Sequence, residues 1–283
     1  MRSDVQWATG VVETSRLQTQ AQLLAPYTRR FLEQAGIIAG MRVLDLGSGT
    51  GDVAFCLAEM VGPAGSVVGI DRDDAVLDIA RSRAASQGLR NISFVVGDLT
   101  SMHLDGLFDA IVGRCVLFFV PDRAVALRRL LDHLRAGGIV AFQEPGIQIL
   151  PPSALPPSSL LDQMWGWIVD VFRHTGRDLF AGLRLFSIFK EAGLPDPQMH
   201  LDAFVGGGTD WPGYAYLVSL VRTLLPSILE YGIATEDQIQ IDTLADRLRA
   251  ETVSRGAVIT TWSFVSAWTH AQVPAQLHPH SPE

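Results

Sequence analysis

The stretch RVLDLGSGTGD, residues 42–52, decides the fold. Arg42 to Leu46 is a short apolar strand-like run that passes directly into a loop holding Gly47, Ser48, Gly49, Thr50 and Gly51, and a helical segment begins near Val53. Strand, glycine loop and helix in that order form the ligand-cradling turn of a parallel α/β sheet. Glycines at alternate positions let the backbone approach a ligand closely, and the free amides of the next helix favour a carboxylate or phosphate. Such a loop alone is also compatible with a tight turn that binds nothing. Its spacing is G-x-G-x-G, against the G-x-G-x-x-G of dinucleotide folds, and Asp45 stands at the strand end. A carboxylate there repels a pyrophosphate and suits a ligand carrying an ammonium or sulfonium centre.

Downstream, the runs SVVGID (66–71), ISFVVGD (92–98), DAIVGR (109–114) and GIVAFQE (138–144) alternate with amphipathic segments, which predicts a parallel sheet with crossover helices. The clearest crossover has Leu127, Leu130, Leu131 and Leu134 on one face and is ended by Gly137 and Gly138. Asp71 ends the second strand, twenty residues beyond Gly51, where a carboxylate can accept both hydroxyls of a ribose. Asp98 ends the third, where it can accept an adenine amine while Leu99 covers the ring. Each acid alone could be a helix cap. Together they converge on the carboxyl edge of the sheet, where open α/β sheets bind ligands.

Residues 12–35 carry helical spacing broken by Pro26, which predicts two short helices meeting at a bend. After Pro145 the Pro/Ser-rich PPSALPPSS (151–159) leads into an aromatic amphipathic helix with Leu161, Met164, Trp165, Ile168, Val171 and Phe172, read as an insertion rather than another strand unit. A second helix ends at Gly193, and Met199 to Val205 alternates like a strand. Helices follow from near Asp210 and from the capping box Thr235 to Gln238, the latter carrying Ile241, Leu244, Ala245 and Leu248. Ala257 to Trp268 closes the sheet. The expected division is a helical lid over 1–38, a core over 39–146, helical insertions and closing strands of the same domain over 147–270, and a disordered tail over 271–283 in which His278 and His280 are solvated.

A chain of 283 residues, 48% hydrophobic, can bury one sizeable α/β core. The net charge of -8, with scattered basic residues, lacks the field that attracts a polyphosphate backbone, which argues against nucleic acid. No apolar run reaches membrane-spanning length; Val116 to Val120 is bounded by Arg114 and Pro121. The N-terminus has no signal-type apolar region. Cys56 and Cys115, in apolar contexts, read as buried reduced thiols, and the compartment as cytoplasmic.

VLDLGSGTGD (43–52), GIDRD (69–73) and VVGDL (95–99), with looser matches at FDAIVGRCVLFFVPD (108–122) and LRAGGIVAFQEP (134–145), resemble the class I S-adenosylmethionine (SAM)-dependent methyltransferases, particularly the small-molecule group similar to ubiquinone/menaquinone-biosynthesis enzymes. The resemblance covers residues 15 to 146 well and the remainder in outline. It implies an α/β, Rossmann-like, seven-stranded, mostly parallel sheet with the last strand antiparallel and helical lid insertions. SAM, converted to S-adenosylhomocysteine, would lie against Asp45, Gly47, Ser48, Gly49, Thr50, Gly51, Asp71, Arg72, Asp98 and Leu99. Arg114 departs from the small or polar residue expected at the fourth strand end; it could meet the SAM carboxylate or an acidic substrate, or pair with a neighbouring Asp.

The implied acceptor is a small apolar or aromatic molecule methylated by in-line displacement, with Tyr27, Phe118, Trp165 and His174 as pocket candidates and plain helix packing as their other reading. His174 is a candidate general base or a C-terminal helix cap. Glu144 is a candidate substrate contact or a structural bond to a loop amide. His103, His133 and His200 read as surface or sheet-edge residues. The strand end GRCV is not the [DN]-P-P-[YF] of nucleic-acid amino-methyltransferases. Arg114 stands where catechol-type enzymes place magnesium-binding acids, so no metal is expected. A SAM-binding cyclase or isomerase on the same fold, a nicotinamide-dependent oxidoreductase disfavoured by the loop spacing, and a non-catalytic binding protein are the alternatives. The aromatic insertions could cover a homo-oligomer partner as readily as a substrate.

Overall fold

The computed structural model describes residues 11–99, 102 and 104–271, so residues 1–10, His103 and the tail from 272 with His278 and His280 lie outside the described residues. Helix α1 (Val11–Ala35) is followed by the alternation that the core sequence predicts: β1 (Arg42–Leu46), α2 (Asp52–Val61), β2 (Ser66–Asp71), α3 (Asp74–Ser86), β3 (Ile92–Val96), β4 (Phe108–Arg114), α4 (Arg123–Leu130) and β5 (Leu134–Gly146). Then come β6 (Ser153–Leu155), α5 (Ser159–Thr175), α6 (Ala181–Glu191), β7 (Gln198–Asp202), β8 (Val205–Gly207), α7 (Gly213–Glu230), α8 (Glu236–Ile239), α9 (Leu244–Ser254), β9 (Val258–Thr260) and β10 (Ser263–His270).

Seven strands form one sheet in the order β3-β2-β1-β4-β5-β10-β7. β1 to β5 pair in parallel, and β10, the last strand in the chain, runs antiparallel between β5 and β7. Alternation sorts the side chains onto two faces. Val43, Val67, Ala110, Val112, Ile139, Ala141 and Trp268 pack with Phe31 and Leu32 of α1, Leu57 of α2 and Leu77 of α3. Leu44, Leu46, Ile111, Val140, Phe142 and Val265 pack with Leu127 and Leu130 of α4 and Leu185 and Phe189 of α6. A third cluster gathers Leu24, Trp165, Phe172, Tyr216, Leu224, Leu248 and Trp262 from the helical part.

Four expectations are corrected. First, α1 runs unbroken through Pro26. Proline removes one helical N–H and crowds the preceding turn, but the helix is anchored on both sides, by Leu24 in the cluster it shares with α7 and by Phe31 and Leu32 against the sheet. Second, the capping box forms at Thr235 and Gln238, yet it caps only the four-residue α8, because Gln240 turns into the left-handed region at φ 45 before α9 starts. Third, residues 257–268 do not make one strand. β9 joins β6 and β8 in a separate three-stranded sheet, while only β10 enters the large one, between β5 and the edge strand β7. The proline-rich linker contributes β6 to that small sheet, and the Met199–Val205 run divides, giving β7 to the edge of the large sheet and only its last residue to β8; β6 and β8 are three residues each, too short for periodicity to register. Fourth, the crossover helix stops at Leu130 and a one-turn 3-10 helix at His133, so Gly137 and Gly138 lie within β5. None of the described helices is long and apolar enough to cross a membrane.

Candidate active site

Asp45 faces the same side of the sheet as Val43, under α1 and α2, and is only 1% exposed. Burial pushes its carboxyl up to about 8, against the opposing pull of the Arg114 charge and the Ala54 amide. Its Oδ2 is buried with no hydrogen-bond partner, as is the hydroxyl of Ser48 in the adjoining loop. An acid that holds its proton more tightly folded than unfolded stabilises the fold while protonated. That contribution is full below the ordinary carboxylate range and is lost as pH rises towards about 8. Urea midpoints should therefore be lower at pH 8.5 than at pH 5, and Asp45→Asn should shrink the difference; an unchanged difference would remove Asp45 as its source.

The glycine loop is held from three sides. Ser48 donates its N–H to Ile70 O at 2.9 Å, tying the loop to β2. Gly47, at φ +63, lies where a Cβ would come within 2.6 Å of Val116, so the β4–α4 loop packs directly on it. Arg83 of α3 reaches across to donate to Thr50 O at 2.6 Å and to Asp52 Oδ1 at 2.7 Å, while Thr50 Oγ1 donates to Asp52 Oδ2. Gly49, at φ +51, has open space where its Cβ would stand. A backbone in this conformation with space above it is a surface a ligand can approach.

Asp71 terminates β2 half-buried, its Oδ2 accepting from Gly49 N at 3.0 Å and its Oδ1 from Asp73 N at 3.1 Å. Each oxygen keeps a second lone pair for a ligand hydroxyl. Gly97 N donates to Asp71 O, which sets Asp98 and the half-buried Leu99 at the same edge. Arg72 is exposed beside them. The cofactor-site residues proposed from sequence thus gather at one strand edge.

Arg114 ends β4 on the Asp45 face. It donates to Thr28 Oγ1 of α1 at 3.0 Å and forms no ion pair among the described residues. Glu144 points to the other face, is fully buried, and accepts three backbone N–H bonds, from Val116 at 3.0 Å, Leu117 at 2.8 Å and Phe118 at 3.2 Å. Burial pushes its carboxyl up to about 7 against those three donors. Of the two sequence readings of Glu144, the structure shows the bond to loop amides; its oxygens are committed to the loop, not open to a substrate. Cys115, at φ 55, supplies the turn that aims these amides at it.

The aromatic candidates divide. Tyr27 stands edge-on to Phe204 at 4.6 Å, Phe118 edge-on to Phe172 at 5.7 Å, and Trp165 is stacked on Trp262 at 5.6 Å. Phe118 and Trp165 share one cluster, and Tyr27 and Cys115 pack against it, so this apolar mass reaches the end of β4. His174 does not join the edge: it is exposed at the last turn of α5, stacked on Tyr231 at 5.4 Å with Nδ1 2.8 Å from Asp170 O. Its contacts are those of the helix-end reading. Cys56 and Cys115 are half-buried rather than fully buried free thiols. Arg83, Thr28, Gln143 and Ser266 were not singled out by sequence; only Gln143, a polar residue directly after the apolar run IVAF, carried a local signal.

Residues 37–167 match the family described as "Methyltransferase domain". The chain is 36% identical over 151 residues to aklanonic acid methyltransferase DauC of Streptomyces sp. strain C5, spanning half of this chain and 69% of that enzyme. The chain belongs to the SAM-dependent methyltransferases. Its cofactor is SAM, and the unpartnered Oδ2 of buried Asp45, an unpartnered hydroxyl at Ser48, the open backbone at Gly49 and the carboxylate of Asp71 fit that molecule's cationic end and ribose. This methyltransferase is also 37% identical over 135 residues to an arsenite methyltransferase of Aquipseudomonas alcaligenes, of which it spans 39%. The fold matches the YcgJ protein of Bacillus subtilis with a TM-score of 0.57 at 18% identity, covering 87% of this chain and 98% of that one.

Proposed function

We propose that this enzyme transfers the SAM methyl group to a small apolar or aromatic acceptor by direct in-line displacement. The observation that carries this reading is the meeting of two unlike surfaces at the end of β4. Asp45 and Arg114 present an acid and a cation on one face, while Cys115 and Phe118 lead into the aromatic cluster with Trp165. When bound, SAM supplies an electrophilic methyl group on a sulfonium whose charge disappears on transfer.

The residues divide the binding between them. Asp45 and the loop from Gly47 to Gly51 hold the methionine end, Arg114 its carboxylate, Asp71 the ribose, and Asp98 with Leu99 the adenine. Tyr27 on α1 and Phe118 exclude water from the reacting atoms. With Glu144 committed to the loop and His174 on an exposed helix end, alignment and exclusion of water do the work, which this displacement permits without a dedicated base. α1 is the lid, and the enzyme acts as a cytoplasmic small-molecule methyltransferase.

An arsenite acceptor fits poorly. Trivalent arsenic is soft and suited to clustered thiolates, whereas the chain's two cysteines lie in the middle of α2 and at the end of β4. The test is incubation with SAM and a panel of aromatic acids, phenols, quinols and arsenite, followed by product mass. Gain of one methyl group by an aromatic member is the expected result. A product of unchanged mass would replace methylation by rearrangement, and methylation of arsenic alone would overturn the acceptor class.

A further inference from the structure

A row of polar side chains crosses the sheet under α1. Arg114 of β4 is the register partner of Gln143 of β5, and Gln143 that of Ser266 of β10. Strand alternation puts all three on the face of Val112, Ala141 and Trp268, and α1 lays Thr28 over them. Gln143 Nε2 donates to Ser266 Oγ at 2.9 Å, Thr28 Oγ1 donates to Gln143 Oε1 at 3.3 Å, and Arg114 Nη1 donates to Thr28 Oγ1 at 3.0 Å. Thr28, Gln143 and Ser266 are 3%, 0% and 1% exposed, so this chain runs inside the protein.

The direction of the Arg114 bond is forced. A guanidinium can only donate, and a threonine hydroxyl has one proton. With the Gln143 amide nitrogen on Ser266 and its carbonyl oxygen towards Thr28, the threonine proton is used there and a lone pair faces Arg114. The guanidinium is thereby held by one of its five N–H groups, and its other four have no protein acceptor among the described residues. Asp45 lies on the same face of the neighbouring strand and attracts Arg114. An untethered guanidinium could swing onto that acid and pair with it, and neither group would then be open to the two ends of a zwitterion.

We propose that Thr28, oriented by Gln143 and Ser266, is a positioning residue that keeps Arg114 off Asp45 and aims it at the carboxylate of the SAM methionine moiety, so that α1 completes the cofactor site. This rests on the assignment of Arg114 to that carboxylate. The experiment is calorimetry with two probes, S-adenosylhomocysteine and 5′-methylthioadenosine, the second lacking the amino-acid end. Thr28→Val is expected to weaken S-adenosylhomocysteine about tenfold, the scale of one hydrogen bond to a charged group, and to leave 5′-methylthioadenosine unchanged. Thr28→Ser should restore wild-type binding, and Thr28→Val should add nothing in an Arg114→Gln background. Equal weakening of both probes by Thr28→Val would reduce Thr28 to packing and overturn the proposal. Weakening by Arg114→Gln but not by Thr28→Val would overturn the relay and leave the Arg114 assignment standing. No effect of Arg114→Gln on S-adenosylhomocysteine would remove both.

Discussion

Glu144→Ala is expected to destabilise the protein by about 3–5 kcal/mol, because it strips the acceptors from three buried backbone donors at once. Against a typical total of about 5–15 kcal/mol, that removes a large share of the folding free energy. The loss should reach the cofactor site as well. The 116–118 turn that Glu144 holds carries Val116, which packs on Gly47, so freeing the turn loosens the glycine loop from below. Glu144→Gln keeps one acceptor oxygen but sets an amide N–H₂ against N–H donors, and should cost an intermediate amount. Urea unfolding of the three proteins, with S-adenosylhomocysteine affinity measured on those that fold, checks both parts. A Glu144→Ala protein within about 0.5 kcal/mol of wild type would show that the turn stands without its carboxylate.

The core was legible because its signals are local. The loop from Gly47 to Gly51 and the acids Asp45, Asp71 and Asp98 sit at fixed points of a strand-loop-helix grammar, and the grammar alone places them at one edge. Glu144 was legible only to its strand end. Which of its two roles holds depends on which face it takes, and one residue decides that: Gln143 faces α1, Glu144 the opposite side.

What sequence did not show depends on pairing across long separations. The Arg114–Thr28–Gln143–Ser266 chain joins residues as much as 123 positions apart, and its existence follows from the β5–β10 register and the seating of α1. The small sheet of β6, β8 and β9 is made of three-residue strands, too short for alternation to be seen. The unbroken α1 reflects tertiary anchoring that overrides the local cost of Pro26. Arg83, which pins Thr50 and Asp52 from α3, sits in an ordinary polar helix pattern with nothing local to mark it.

The second large effect is expected at Asp71. It accepts the Gly49 N–H that shapes the loop, and on the proposed assignment of Asp71 to the ribose, Asp71→Ala loses a ligand contact and a loop support together. Two or more charge-assisted hydrogen bonds of about 1.5–3 kcal/mol each amount to a loss of about a hundredfold or more in affinity. Asp71→Asn, which retains one acceptor oxygen, should fall between. The direct measurement is calorimetry of SAM and S-adenosylhomocysteine on wild type and Asp71→Ala. Binding by the wild type in about the micromolar range, lost or weakened at least a hundredfold in the variant, is the predicted result. No binding by the wild type, or equal binding by both proteins, would contradict a SAM site at this strand edge.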